Sequence, residues 1–152
     1  MFSLRNLVIA LGAFVARTDQ ASAQPPNLYG VSWVTNDSNA RCTVYYKWGK
    51  DGPWKKHIIE KGRMAGFSWA YDGDKKSSPD LYVRIDVETD SDTKWVEQIL
   101  TRGQAPDKES TKYGHHFTVK QLKGTNTRFI EATTKGAKVT VTDTRSSAPV
   151  VK

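Results

Sequence analysis

The sequence predicts an all-β protein, a single antiparallel β-sandwich or partly closed barrel of about eight to nine short strands behind a cleaved signal peptide. Three observations carry that expectation. The run Leu81-Tyr82-Val83-Arg84-Ile85-Asp86-Val87-Glu88 alternates apolar and polar residues without a break, which is the period of a strand with one buried and one wet face. Clusters of Gly, Asn, Asp, Ser and Pro recur between such runs at short intervals, where hairpin turns are made. Beyond residue 24, no apolar spacing of three and four residues persists for the turns a helix needs.

Taken in order, the strands are expected at 29–35, 41–48, 54–60, 66–71, 81–88, 94–100, 115–122, 127–133 and 137–142. Segment 41–48 sends Cys42, Val44, Tyr46 and Trp48 to one face and Arg41, Thr43, Tyr45 and Lys47 to the other. Gly49-Lys50-Asp51-Gly52-Pro53 then supplies an Asp-Gly step suited to a tight hairpin into 54–60. In 66–71, Phe67, Trp69 and Tyr71 share a face. Asn36-Asp37-Ser38-Asn39, Lys61-Gly62-Arg63, Asp90-Ser91-Asp92, Lys123-Gly124-Thr125-Asn126 and Lys135-Gly136 punctuate the rest. Short connections predict that most neighbouring strands pair antiparallel. Two longer polar stretches, 72–80 and 102–113, read as loops, and the tail 145–152 as a frayed end.

The domain plan is a signal peptide at 1–23, one all-β domain at 24–144 and a disordered tail at 145–152. Arg5, an apolar run over 7–16 and Ala21-Ser22-Ala23 follow the order of a secretory leader, with Gln24 as the first mature residue. The run is shorter than the roughly 20 residues of a membrane span. The localisation this implies is secreted or periplasmic. Losing Arg5, Arg17 and Asp19 with the leader leaves 21 basic and 15 acidic residues, net +6. A basic exported protein meets anionic partners: a cell-surface polymer, a glycan or lipid headgroups, rather than nucleic acid. Cys42 is the single cysteine, so the fold has no internal disulfide and rests on apolar burial. It reads as a small buried hydrophobe, the alternative being a bridge between chains.

Tyr46-Lys47-Trp48-Gly49 followed by Gly52-Pro53-Trp54-Lys55 resembles a recurring element of an uncharacterised family of small secreted bacterial β-rich proteins. Phe67-Ser68-Trp69-Ala70-Tyr71, Ser78-Pro79-Asp80-Leu81, Tyr113-Gly114-His115-His116-Phe117 and Arg128-Phe129-Ile130 continue the likeness over most of 40–131. The resemblance implies a secreted β-rich domain. It implies no catalytic or binding residue.

Two overlapping sets of residues could carry chemistry. Tyr45, Tyr46, Trp48, Trp54, Phe67, Trp69 and Tyr71 are either core packing or a flat platform for a sugar ring or headgroup. Lys47, Lys50, Lys55, Lys56, Lys61 and Arg63 surround the same hairpin, as an anionic partner would require, although lysines also guard strand edges against aggregation. The candidate ligand-binding set is Lys47, Lys50, Trp54, Lys55 and Lys56, with Trp54 projecting from the strand start after the rigid Pro53. Acidic residues at 72–80 and 88–92 sit at opposite ends of one strand and form no shared calcium site. His115 and His116 are adjacent and so point to opposite faces. No nucleophile elbow or zinc motif is present, and no metal or cofactor is implied. The function expected is non-enzymatic binding at the cell envelope. The alternatives are a small secreted hydrolase using His115 or His116 with loop carboxylates, and a protein–protein interaction domain acting through an edge strand.

Overall fold

The computed structural model describes residues 26–91 and 93–152. Residues 1–25, which include the expected leader at 1–23 and its expected processing site, and Asp92 lie outside the described residues. Among the described residues there are ten strands and no helix: β1 (Tyr29–Asn36), β2 (Cys42–Trp48), β3 (Lys55–Ile59), β4 (Met64–Ala70), β5 (Leu81–Asp86), β6 (Trp95–Leu100), β7 (Gly103–Ala105), β8 (His115–Gln121), β9 (Arg128–Ala132) and β10 (Val139–Ser146). The strand that sequence reading lacked is β7, inside the stretch read as a loop. Three residues are too few to display a period of two.

The strands form two sheets. One has the order β4-β1-β8-β9, with β7 also paired to β1; the other has the order β10-β6-β5-β2-β3. Neither sheet closes on itself, so the barrel alternative is not realised. The pairing is antiparallel, as expected for most strands, except at one place: β1 and β8 run parallel, with Val34 beside Phe117. Hairpin-length connections force antiparallel neighbours, but six strands intervene between β1 and β8, ample chain for a crossover.

Both sheets contribute to one core. Val34, Phe67, Phe117, Val119 and Ile130 of the first meet Cys42, Val44, Ile59, Leu81, Val83, Ile85 and Leu100 of the second. Leu81, Val83 and Ile85 are fully buried, as their alternation requires. The face read as wet is not wet along its whole length, because β5 ends at Asp86 and that side chain is buried too. Cys42 is fully buried, and loss of hydration pushes its thiol up to about 11, against a smaller opposing pull from Arg128. It is a core hydrophobe, out of reach of another chain while the domain is folded.

The chain passes between sheets at Lys61-Gly62-Arg63, where Gly62 takes φ 74° and its N–H donates to the Asn36 carbonyl at 2.7 Å. A side chain at that φ would be strained, so the glycine suits the corner. Asn36 is itself fully buried and fully used. Its Nδ2 donates to the carbonyls of Ala40 (2.9 Å) and Ile59 (2.8 Å), and its Oδ1 accepts from Ser38 N (3.0 Å). This one amide ties the ends of β1 and β3 to the turn that opens β2. At the other end of the chain, β10 runs to Ser146, whose hydroxyl donates to the Trp95 carbonyl at 2.9 Å. The first two residues of segment 145–152 are therefore strand.

Candidate functional site

The residues of the β2-β3-β5-β6 region that do not enter the core form the outer face of the second sheet. β2 contributes Thr43, Tyr45 and Lys47, β3 Lys56 and Ile58, β5 Tyr82, Arg84 and Asp86, and β6 Trp95 and Glu97. Register sets their neighbours: Tyr45 lies between Lys56 and Arg84, Lys47 beside Tyr82, and Arg84 beside Glu97.

Trp54, at the end of the β2–β3 turn, lies down on this face. Arg84 Cζ stands 4.7 Å from its ring centroid and Lys47 Nζ 4.8 Å, and Lys47 is also 5.1 Å from the Tyr82 ring. The ring is half-buried and does not project. Two cations on neighbouring strands draw it down, each cation–π contact contributing about 0.5–2 kcal/mol. Arg84 is held in turn by a 2.8 Å ion pair from its Nε to Glu97 Oε2, and its Nη1 donates to the Ser147 carbonyl at 3.0 Å. Tyr45 packs edge-on against the buried Trp95, centroids 5.1 Å apart.

Of the five residues predicted from sequence, Lys47, Trp54 and Lys56 share this face. Lys50 lies in the turn, where its carbonyl accepts from Lys47 Nζ at 2.5 Å. Lys55 pairs with Tyr46 and so points from the opposite side of β3. Sequence reasoning missed Arg84 and Tyr82 as members, because their neighbours on the face come from a strand far away in sequence. The aromatics of the other side of β2 are packing. Tyr46 meets Phe67 at 4.8 Å and Trp48 meets Trp69 at 5.5 Å between centroids, with Trp69 at the rim 38% exposed.

Toward Thr43 the same face opens into a polar cleft of about 500 Å³, lined by Arg41, Thr43, Lys56, Asp86, Asp90 and Arg128 among others. Arg128 starts β9 but reaches across to the second sheet. It is 4% exposed. Its Nε donates to the Asp86 carbonyl (2.6 Å) and its Nη1 to the Arg41 carbonyl (3.0 Å). Arg128 shares the inward face of β9 with the buried Ile130, and an arginine on an apolar face was the local signal that could have singled it out.

The remaining candidates lie apart. His115 Nδ1 is 2.8 Å from Thr101 Oγ1, while His116 Nε2 is 2.6 Å from the Thr111 carbonyl. Burial, then the charge of Arg102, lowers the His115 pKa from its ordinary value. Glu88 pairs with Lys94 at 2.6 Å and accepts from Ser91, and these hydrogen bonds hold its carboxyl below the usual range. Asp90 accepts from Asn126 at 2.9 Å. Among the described residues no group of three or more His, Cys, Asp or Glu side chains is placed to hold a metal ion. No helix among them is long and apolar enough to cross a membrane.

Fold and face together define a two-sheet all-β domain with a cationic, aromatic outer surface. Comparison with protein-family models, with curated proteins and with solved structures returns no match.

Proposed function

We propose that the protein is an exported, non-enzymatic binding domain that holds an anionic polymer of the cell surface against the outer face of its second sheet. One observation carries this reading: Lys47 and Arg84 bracket Trp54, with Tyr82 below and Lys56 one register step away. Lys47 and Arg84 are held in place by rings and, for Arg84, by Glu97, so little side-chain entropy is lost when a ligand meets them. A mature net charge of +6 adds a long-range pull toward anionic surfaces.

The test is co-sedimentation with acidic and neutral polysaccharides, and with anionic and neutral vesicles, at low and high salt. Binding to the acidic polysaccharide is expected to fall at least about tenfold between 0.05 and 0.5 M salt, because exposed charges are screened beyond about 10 Å at 0.1 M. Lys47→Ser combined with Lys56→Ser should remove it. Lys55→Ser, on the other side of the same strand, should leave it in place. Equal loss from both variants, or binding that ignores salt, would refute the reading. Export is tested separately: mass spectrometry of protein from its native host should find an N-terminus at or near Gln24, and an intact Met1 in the cytoplasmic fraction would count against it.

A further inference from the structure

The polar cleft at the Thr43 end of the face carries a more specific chemistry than the lysines alone. Its wall is mixed. Arg41, Lys56 and Arg128 are cations, Asp86 and Asp90 are carboxylates, and Thr43 offers a hydroxyl. A bare anion such as phosphate would gain from the first three and be repelled by the next two. A neutral sugar would leave the cations unanswered. A sugar acid suits the whole set, since its carboxylate accepts from Arg and Lys while its ring hydroxyls donate to Asp carboxylates, both charge-assisted bonds. The cleft volume of about 500 Å³ falls in the usual range for small-ligand sites, roughly 300–1,000 Å³.

Rigidity supports the same conclusion. Arg128 is almost wholly buried and anchored to two main-chain carbonyls on the second sheet. Asp86 is 3% exposed, and its Oδ1 accepts from Glu88 N at 2.9 Å. A fixed cation and a fixed carboxylate thus stand at the floor, with the exposed Arg41, Lys56 and Asp90 at the rim. From Lys47 to Thr43 the face runs four residues along β2, about 13 Å at strand rise, so a chain of acidic sugars lying along β2 would reach both ends.

We infer that the cleft lined by Arg41, Lys56, Asp86, Asp90 and Arg128 is a subsite for one uronic-acid residue of an acidic glycan. The inference rests on the anionic-polymer reading and narrows it. Titration calorimetry of the full mature chain with trigalacturonic acid tests it, with maltotriose and inorganic phosphate as comparison ligands. Trigalacturonate should bind at least about tenfold more tightly than either. Arg41→Gln and Asp90→Asn, both exposed at the rim, should each weaken it about tenfold, the loss of one charge-assisted contact. Lys47→Ser, at the far end of the face, should weaken it less than either. Arg128→Lys should weaken it too, and if that variant unfolds the rim variants decide alone. Phosphate binding as tightly as trigalacturonate would overturn the inference, because charge alone would then suffice. Parental affinity in both rim variants would overturn it while leaving the anionic-polymer reading intact. No binding of trigalacturonate or of any acidic polysaccharide would overturn both.

Discussion

Phe117→Ala is expected to lower the stability of the domain by about 3–5 kcal/mol. Phe117 is among the largest fully buried side chains, on the central strand β8 of the first sheet. It faces Val34 across the parallel β1–β8 pair and Ala132 across β9, and it belongs to the core cluster that both sheets share. Truncation removes the ring's apolar contacts and leaves a cavity that a rigid sheet collapses into poorly. Thr118, the next residue, points to the opposite face of the same strand. Thr118→Ala should cost less than about 1 kcal/mol, the scale of a cross-strand pair. Urea denaturation of the two variants measures the difference. Similar losses at the two positions would mean that the inward face of β8 has been misassigned.

Gly103→Ala is expected to destabilise by about 3 kcal/mol, at the upper end of what a single overpacked methyl does. A Cβ on Gly103 would stand 2.0 Å from the Tyr113 carbonyl oxygen and 2.9 Å from both Gly114 C and His115 N. All three are main-chain atoms, which cannot swing aside as a side-chain tip can. The crowding has a topological origin. β7 and β8 use the same edge of β1 in succession, Gly103 pairing with Val31 and His115 with the next residue, Ser32. Where one strand ends and the other begins, the two backbones abut and there is room for hydrogen only. Gln104→Ala, one position on and exposed, should stay within about 0.5 kcal/mol. Thermal melts of the pair check this, and an undisturbed Gly103→Ala variant would show that β7 is not seated as described.

The anionic-polymer reading and its uronic-acid refinement use neighbouring but different groups. Lys47, Trp54 and Arg84 form one end of the outer face; Arg41, Asp86, Asp90 and Arg128 form the other. Lys56 is shared between them. The first end supplies cations bound to rings, suited to attracting and orienting a charged chain. The second pairs cations with carboxylates, suited to recognising a sugar that carries both an acid group and hydroxyls.

Sequence alone determined what each residue does relative to its own strand. The alternation in 81–86 places Leu81, Val83 and Ile85 inward, and the structure has them fully buried. The alternation in 42–48 sends Cys42 and Val44 into the core and Tyr45 and Lys47 outward. The Asp-Gly step at 51–52 lies in the turn that joins β2 to β3. These are local properties, set by the two-residue repeat of an extended backbone and by turn chemistry. Only the tertiary structure decided who stands next to whom. The alternation puts Arg84 on the wet face of its strand and says no more, yet β5 lies against β2, and this brings Arg84 and Lys47 to Trp54. Trp54 was expected to project, and the cations beside it hold it down. β7 and the parallel β1–β8 pair are contacts between segments far apart in sequence, as is the reach of Arg128 across to Asp86 and Arg41. A period of two says which way a side chain points; it carries no record of which strand lies alongside, and the candidate site is made of such neighbours.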